Sequence, residues 1–279
     1  MTISIGIKVN DGLVIASDSA LTLGGGQGVS NVYMNGTKIV NLHKKLPIAV
    51  AYWGLASIGG HNLAFWLKEL RARIEGRTKG FESHKLNHES YSIIEIAKVV
   101  SDFFNEILQL HSESNPVTST SHFGLLVAGY SSDTLSPETY IIQYNGNELG
   151  THYDPILGTS GCFWNGQPEL ISRILNGYSH NLPQALINLA VDPKDVPAYV
   201  RAIAAQTQIP LIHPDMPIQD AIDLATFLAD ATVKFTKFAP GANVVDGQID
   251  IATITRHEGF KWVNRKYYFP LELNGERNE

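Results

Sequence analysis

A single cysteine, Cys162, stands in 279 residues. It cannot pair within the chain and cannot build a thiolate zinc cage, so a disulfide scaffold is excluded and a reducing, cytoplasmic setting is expected. Charge is also scarce: 21 Lys and Arg against 27 Asp and Glu leave a formal −6, and no cationic run exceeds Lys44-Lys45. A chain of that sign without a linear basic stripe has no electrostatic footprint for nucleic acid. Long apolar runs are missing too. The most apolar stretch, Pro47 to Gly60, is broken by glycines and a serine and falls short of the roughly 20 apolar residues of a membrane span. The opening Met1-Thr2-Ile3-Ser4-Ile5 has neither the basic segment nor the apolar core of a secretion signal. Neither membrane nor export is expected.

What is present is an alternation of periods. Ile3 to Val9 alternates with period two, Asn10-Asp11-Gly12 is a hairpin turn, and Leu13 to Ala16 returns as a second strand. Gly24 to Ser30 reads as a glycine-rich loop; Thr37 to Leu42 and Ile48 to Trp53 read as a further strand pair. From Leu55 to Ile74 apolar residues fall near 3.6-residue spacing, predicting a helix that ends near Gly76. Ser90 followed by Ile93 to Leu108 predicts a second, capped helix. Strands resume at Phe123 to Tyr130 and Thr139 to Tyr144, with a turn at Asn145-Gly146-Asn147. Helices are expected at 167–175, 182–189 and 218–238, and closing strands at 249–255 and 262–263. Tight hairpins imply antiparallel pairing. The expected class is α+β: two stacked antiparallel sheets between helix layers, in one domain over 1–279, with 77–88 and the proline-containing 191–217 as possible insertions.

Most chemical motifs are absent. No Walker sequence, zinc-protease helix or cofactor fingerprint occurs, so neither a metal nor a cofactor is implied; His84 and His88 lack a third ligand at metal spacing. Cys162 is expected to be a small buried thiol. The unusual feature is Thr2, which becomes the terminal residue if Met1 is removed. A terminal threonine unites nucleophile and base: its α-amine, with an ordinary pKa of about 7.7–8.0, can take the hydroxyl proton. Such a site needs a cation to hold those groups and a carboxylate to fix the cation, and Lys38 and Asp18 stand at neighbouring strand ends.

These residues carry a family resemblance. Thr2 to Val9, Asp11-Gly12-Leu13-Val14-Ile15-Ala16-Ser17-Asp18-Ser19 and Thr37-Lys38-Ile39 resemble the opening of proteasome β-type subunits, which are N-terminal-nucleophile hydrolases. The Met-Thr start is most similar to bacterial proteasome-like proteins, among them the heat-shock peptidase and the ancestral β-subunit group. The resemblance implies a four-layer αββα sandwich and a threonine peptidase or amidase working through an acyl-enzyme. Thr2 would be the nucleophile, Lys38 the neighbouring cation, Asp18 its orienter and Ser160, in Ser160-Gly161, a hydrogen-bonding partner near the amine. A backbone N–H in the Tyr52-Trp53-Gly54 turn would hold the oxyanion, and Val50 and Tyr52 or Trp53 would line a substrate pocket or belong to the core. The family also implies a homo-oligomer, a ring or helical stack, acting on a peptide or amide substrate; an unfoldase partner is not identifiable. One departure stands out: segment 240–247 lacks the aspartate and serine, three apart, that support the terminal amine in β-type subunits. A catalytically silent structural subunit and an amidohydrolase for small amides remain as alternatives.

Overall fold

The computed structural model describes residues 2–25, 28–81, 85–111, 122–146, 149–152, 158, 160–240 and 245–266. Its first hairpin joins β1 (Ser4–Val9) to β2 (Gly12–Ser17), in the register Ser4↔Ser17 to Val9↔Gly12. Every residue of both strands is buried, so the alternating pattern marks two different packed faces rather than one dry and one wet face.

These strands lie inside a five-stranded antiparallel sheet with β12 (Gly161–Asn165), β13 (Asp250–Thr255) and β14 (Gly259–Asn264), in the order β12-β1-β2-β13-β14. A second such sheet holds β5 (Ile39–Asn41), β6 (Ile48–Gly54), β9 (Phe123–Gly129), β10 (Glu138–Tyr144) and β11 (Leu149–His152), in the order β11-β10-β9-β6-β5. Two small hairpins, β3 (Leu21–Gly25) with β4 (Gly28–Tyr33) and β7 (Ser57–Ile58) with β8 (His61–Asn62), complete the strands. The described residues also form six helices: α1 (Leu63–Ile74), α2 (Ile93–Leu110), α3 (Glu169–Leu175), α4 (Leu182–Asn188), α5 (Val196–Thr207) and α6 (Ile218–Phe238). The architecture is therefore mixed α and β, with antiparallel sheets.

Three apolar clusters distribute the burial. Val50, Tyr52, Leu125 and Val127 of the second sheet pack with Leu67 of α1 and Phe104 of α2. Ile3, Ile5, Ile7 and Val9 pack with Ile171 of α3 and Ala225 and Leu228 of α6. The third cluster draws on both sheets and on no helix: Leu13, Ile15 and Ile254 meet Ala49, Ala51, Trp53 and Leu126. Each fully buried Leu or Ile contributes about 1.5–3 kcal/mol of transfer free energy, so the hairpin that carries the chain's start is held on both faces.

Several local expectations are corrected. The glycine-rich 24–30 stretch is part of the β3–β4 hairpin, whose register shifts between Leu23 and Gly24; residues 26 and 27 lie outside the described set. Helix α1 begins at Leu63, not near Leu55, because Asn62 caps it by accepting from the Phe65 N–H at 2.8 Å, and the preceding residues form the β7–β8 hairpin. The cap of α2 is Ser92 rather than Ser90: Ser92 and Glu95 satisfy each other's backbone N–H groups. Within 191–217 lies α5, which starts with Pro197 in its first turn. Strand β12, unassigned from sequence, is found at 161–165. No helix among the described residues is long and apolar enough to cross a membrane.

Candidate active site at the end of the first hairpin

The β1–β2 register places the residues before Ser4 beside those after Ser17. Thr2 and Asp18 are both buried there, at 4% and 0% exposure. Ser17 Oγ donates to the Ile3 carbonyl at 2.8 Å, closing the end of the hairpin. Asp18 Oδ1 accepts the Ile3 N–H at 3.0 Å and Lys38 Nζ at 2.7 Å. One carboxylate oxygen therefore holds both the peptide nitrogen that follows Thr2 and the Lys38 ammonium. Asp18 Oδ2 accepts from the Ala20 N–H at 3.1 Å and the Asp246 N–H at 3.3 Å. Lys38 is fully buried, just ahead of β5, and its carbonyl is tied to β6 by the Tyr52 N–H at 3.1 Å.

Burial decides the electrostatics. It raises the Asp18 carboxyl above the ordinary carboxylate value against the opposing pull of Lys38 and the Ile3 and Ala20 amides. It lowers the Lys38 amine, and the nearby charge of Lys266 lowers it further, against Asp18 and Asp250. A desolvated amine with a neighbouring like charge is one that gives up its proton more readily than a surface lysine.

Lys266 and Asp250 were not singled out by sequence. Asp250 opens β13 directly opposite Ser17. Its Oδ1 accepts the Lys266 N–H at 3.2 Å and its Oδ2 pairs with Lys266 Nζ. The same ammonium donates to Ser19 Oγ at 2.5 Å, and Ser19 Oγ donates on to the Gln248 carbonyl. The Ser19 N–H reaches the Asp246 carbonyl at 3.2 Å. The only sequence signal was a carboxylate at the head of an apolar strand. In the segment expected to lack an aspartate–serine pair, residues 241–244 lie outside the described set, while Asp246 braces both Asp18 and Ser19 through its backbone.

Ser160 is corrected. Strand β12 runs antiparallel to β1 with Gly161 opposite Lys8 and Asn165 opposite Ser4. Ser160 thus precedes β12 at the Lys8 end, level with Val9 and about seven strand residues or ~23 Å from Thr2 at ~3.3 Å per residue. The residues that follow β12 meet the site instead. Gly166 has φ +97° and a Cβ there would fall 1.8 Å from the Thr2 carbonyl oxygen, so only glycine fits. A cavity of about 570 Å³ opens beside it, lined by Trp164, Asn165, Tyr178 and His180.

The β6 residues divide. Of the two alternatives for Val50 and Tyr52, pocket or core, both residues pack in the core against α1 and α2, and the Tyr52 hydroxyl donates to the Thr37 carbonyl at 2.8 Å. Trp53 is buried between the sheets, tilted against Phe163 at 5.3 Å. Gly54 alone of the four is exposed, with φ +90°.

Cys162 is a partly covered thiol whose burial pushes it well above the ordinary cysteine value. Among the described residues no cluster of three or more His, Cys, Asp or Glu could hold a metal ion. His88 packs edge-on to His43 at 4.7 Å; His84 and Met1 lie outside the described residues.

No family model matches the chain and no curated protein matches it. Solved structures do. The helical assembly of the Anbu complex from Pseudomonas aeruginosa superposes with a TM-score of 0.56 at 16% identity, over 95% of this chain and 88% of that one. Anbu (ancestral beta-subunit) from Yersinia bercovieri gives 0.51 at 14% identity, over 94% and 86%. The expected membership of the proteasome β-type subunits is thereby corrected: nothing supports a proteasome β subunit, and the chain shares its fold with the proteasome-like but distinct Anbu structures.

Proposed function

We propose that this chain is an N-terminal-nucleophile amide hydrolase that uses Thr2, freed by removal of Met1, on a peptide or amide substrate. The observation that carries the reading is the shared Asp18 oxygen, which fixes Lys38 Nζ and the peptide nitrogen after Thr2 on one acceptor. A buried Lys–Asp pair is a poor investment in stability, because desolvation of both charges offsets most of their attraction. A cation held beside a terminal hydroxyl and amine has a chemical use.

In the reaction the Thr2 hydroxyl oxygen attacks the amide carbonyl carbon while the Thr2 α-amine accepts the hydroxyl proton. Collapse of the tetrahedral adduct breaks the C–N bond, the proton passes to the leaving amine, and an ester to Thr2 remains. Water, deprotonated by the same α-amine, then releases the acid and restores Thr2. Lys38 as the ammonium lowers the cost of the developing negative charge, and Asp18 keeps it in place. The Gly54 N–H is the best oxyanion donor on β6. The Tyr52 N–H is already used by Lys38, the alternation of strand hydrogen bonds turns the Trp53 N–H toward β9, and the Gly54 N–H returns to the Lys38 side beyond the start of β5.

The two sheets, sharing one apolar interface and each packed against helices, support a four-layer αββα sandwich of the N-terminal-nucleophile type in one domain, with 77–88 and 191–217 as additions to it. By likeness to the Pseudomonas aeruginosa Anbu complex, named as a helical assembly, a self-assembled homo-oligomer is proposed. Intact mass before and after treatment with an epoxyketone or β-lactone tests the chemistry. Loss of Met1 with one adduct mapping to Thr2 is expected; retention of Met1 with no adduct would leave a silent structural subunit.

A further inference from the structure

The chain's basic side chains, scattered in sequence, converge at one place outside the Thr2 site. Along one flank, the edge of β5 and the turn after it, the exposed side of α1 and the edge strand β14 enclose a cleft of about 530 Å³. Six cationic side chains line it, Lys44, Lys45, Lys68, Arg71, Lys261 and Arg265, against a single carboxylate, Glu258. This concentration runs against the formal −6 of the whole chain. Among the described residues Lys45, Lys68 and Lys261 have no carboxylate partner. The aromatic wall of the cleft is Phe260 and Trp262, edge to face at 5.1 Å, with the Arg265 guanidinium 4.9 Å from the Trp262 ring.

We infer that this cleft is a binding site for a small linear polyanion of the phosphate-chain type. Three features select that class. Like charges gathered in a concave wall repel one another, and an anion that bridges them relieves that repulsion. The Lys68 amine, on an exposed residue whose head is partly desolvated in the cleft, is held below its ordinary value first by that desolvation and then by the charges of Arg71 and Arg265. The volume lies in the range of small-ligand sites, enough for a few phosphate groups; a long nucleic acid would extend over a surface whose net charge opposes it. Arginines present forked donors suited to phosphate oxygens, and lysines add point charges. The phosphate chain has two sources, an inorganic oligophosphate or a nucleotide, whose base would lie on the Trp262 wall.

The test is calorimetric titration of the full chain with tripolyphosphate and, separately, with ATP, both without divalent metal. Both are expected to bind with Kd well below about 1 mM at an ionic strength of about 0.1 M, and to weaken as salt screens the site. The double substitution Lys68→Gln with Lys261→Gln, both at exposed positions, should raise Kd at least about tenfold for either ligand while leaving the far-ultraviolet circular dichroism unchanged. Trp262→Phe separates the sources: selective weakening of ATP identifies a nucleotide, and equal binding of both identifies the phosphate chain alone. Absence of binding by the wild type, or undiminished binding by the double variant, would overturn the assignment. So would a change of self-association in the double variant without any wild-type affinity for either ligand, which would make the cleft an interface between copies of the chain.

Discussion

Two buried lysines lie at the same end of the molecule, each on an aspartate, and they differ in what the aspartate holds. Asp18 spends both oxygens on the site: Lys38, the peptide after Thr2, and the amides of Ala20 and Asp246. Asp250 holds Lys266 alone among the described residues, through the backbone N–H and the ammonium of that one residue, and the ammonium also reaches Ser19. The first pair joins three distant segments around Thr2. The second fastens the strand that ends the sheet to the loop after β2. Equal chemistry in similar burial thus serves two purposes, and the network of neighbours, not the ion pair, distinguishes them.

The sharpest break of that comparison is kinetic. Thr2→Ala should reduce amide hydrolysis by at least about 10³-fold, the scale on which loss of a covalent nucleophile acts, with assembly intact by light scattering; undiminished turnover would remove Thr2 from the chemistry. Lys38→Met should cost about 10²-fold or more in kcat and, by stranding the Asp18 charge, about 3–5 kcal/mol of stability in denaturant titration. Lys266→Met should destabilise on the same scale, because it strands Asp250, yet leave kcat within about tenfold of wild type once measured below its melting temperature. Equal kinetic losses at Lys38 and Lys266 would mean that the two pairs act as one unit.

The pH profile sharpens the distinction further. Hydrolysis needs the Thr2 amine neutral, so activity rises with pH as that amine, of ordinary pKa about 7.7–8.0, loses its proton. It needs Lys38 protonated, and because burial depresses that amine, activity falls again as pH passes a value below the ordinary lysine pKa of about 10.4. Lys38→Arg should flatten the alkaline limb, since guanidinium keeps its proton; Lys266→Arg should not. The smallest effect concerns Cys162. With its thiol pushed up by burial, native protein should resist iodoacetamide at pH 8 and react fully after unfolding, with no change of activity.

Part of this local geometry is legible in the sequence. The alternation of Ile3 to Val9, the Asn10-Asp11-Gly12 turn and the return strand put Thr2 and Asp18 side by side, because a tight hairpin leaves little choice of register. Lys38 is expected at the opening of the strand Thr37 to Leu42, and it stands just ahead of the shorter β5. Lys266 did not, since a lysine after a short edge strand is indistinguishable from any surface lysine. Ser160 misled for a related reason: whether it stands before or after β12 depends on where the strand begins, and Gly161 to Asn165 carries no strong period of its own. Gly166, which follows that strand, is the residue whose missing side chain matters. Val50 and Tyr52 were ambiguous between pocket and core, and their packing against α1 and α2 decides for core.

By itself the chain's sequence determined the local things: the strand and helix periods, the turn at Asn10 to Gly12, the apolar clusters' raw material, and a first hairpin that returns Asp18 to the level of Thr2. Those depend on neighbours a few residues apart or on one tight turn, which sequence displays directly. Only the tertiary structure decided that Gly166 abuts Thr2, that Asp246 braces Asp18, that Asp250 and Lys266 form a second buried pair, and that six scattered cations share one cleft. Each of these rests on side chains brought together across many intervening residues by sheet pairing and layer packing, and no local pattern encodes such a meeting.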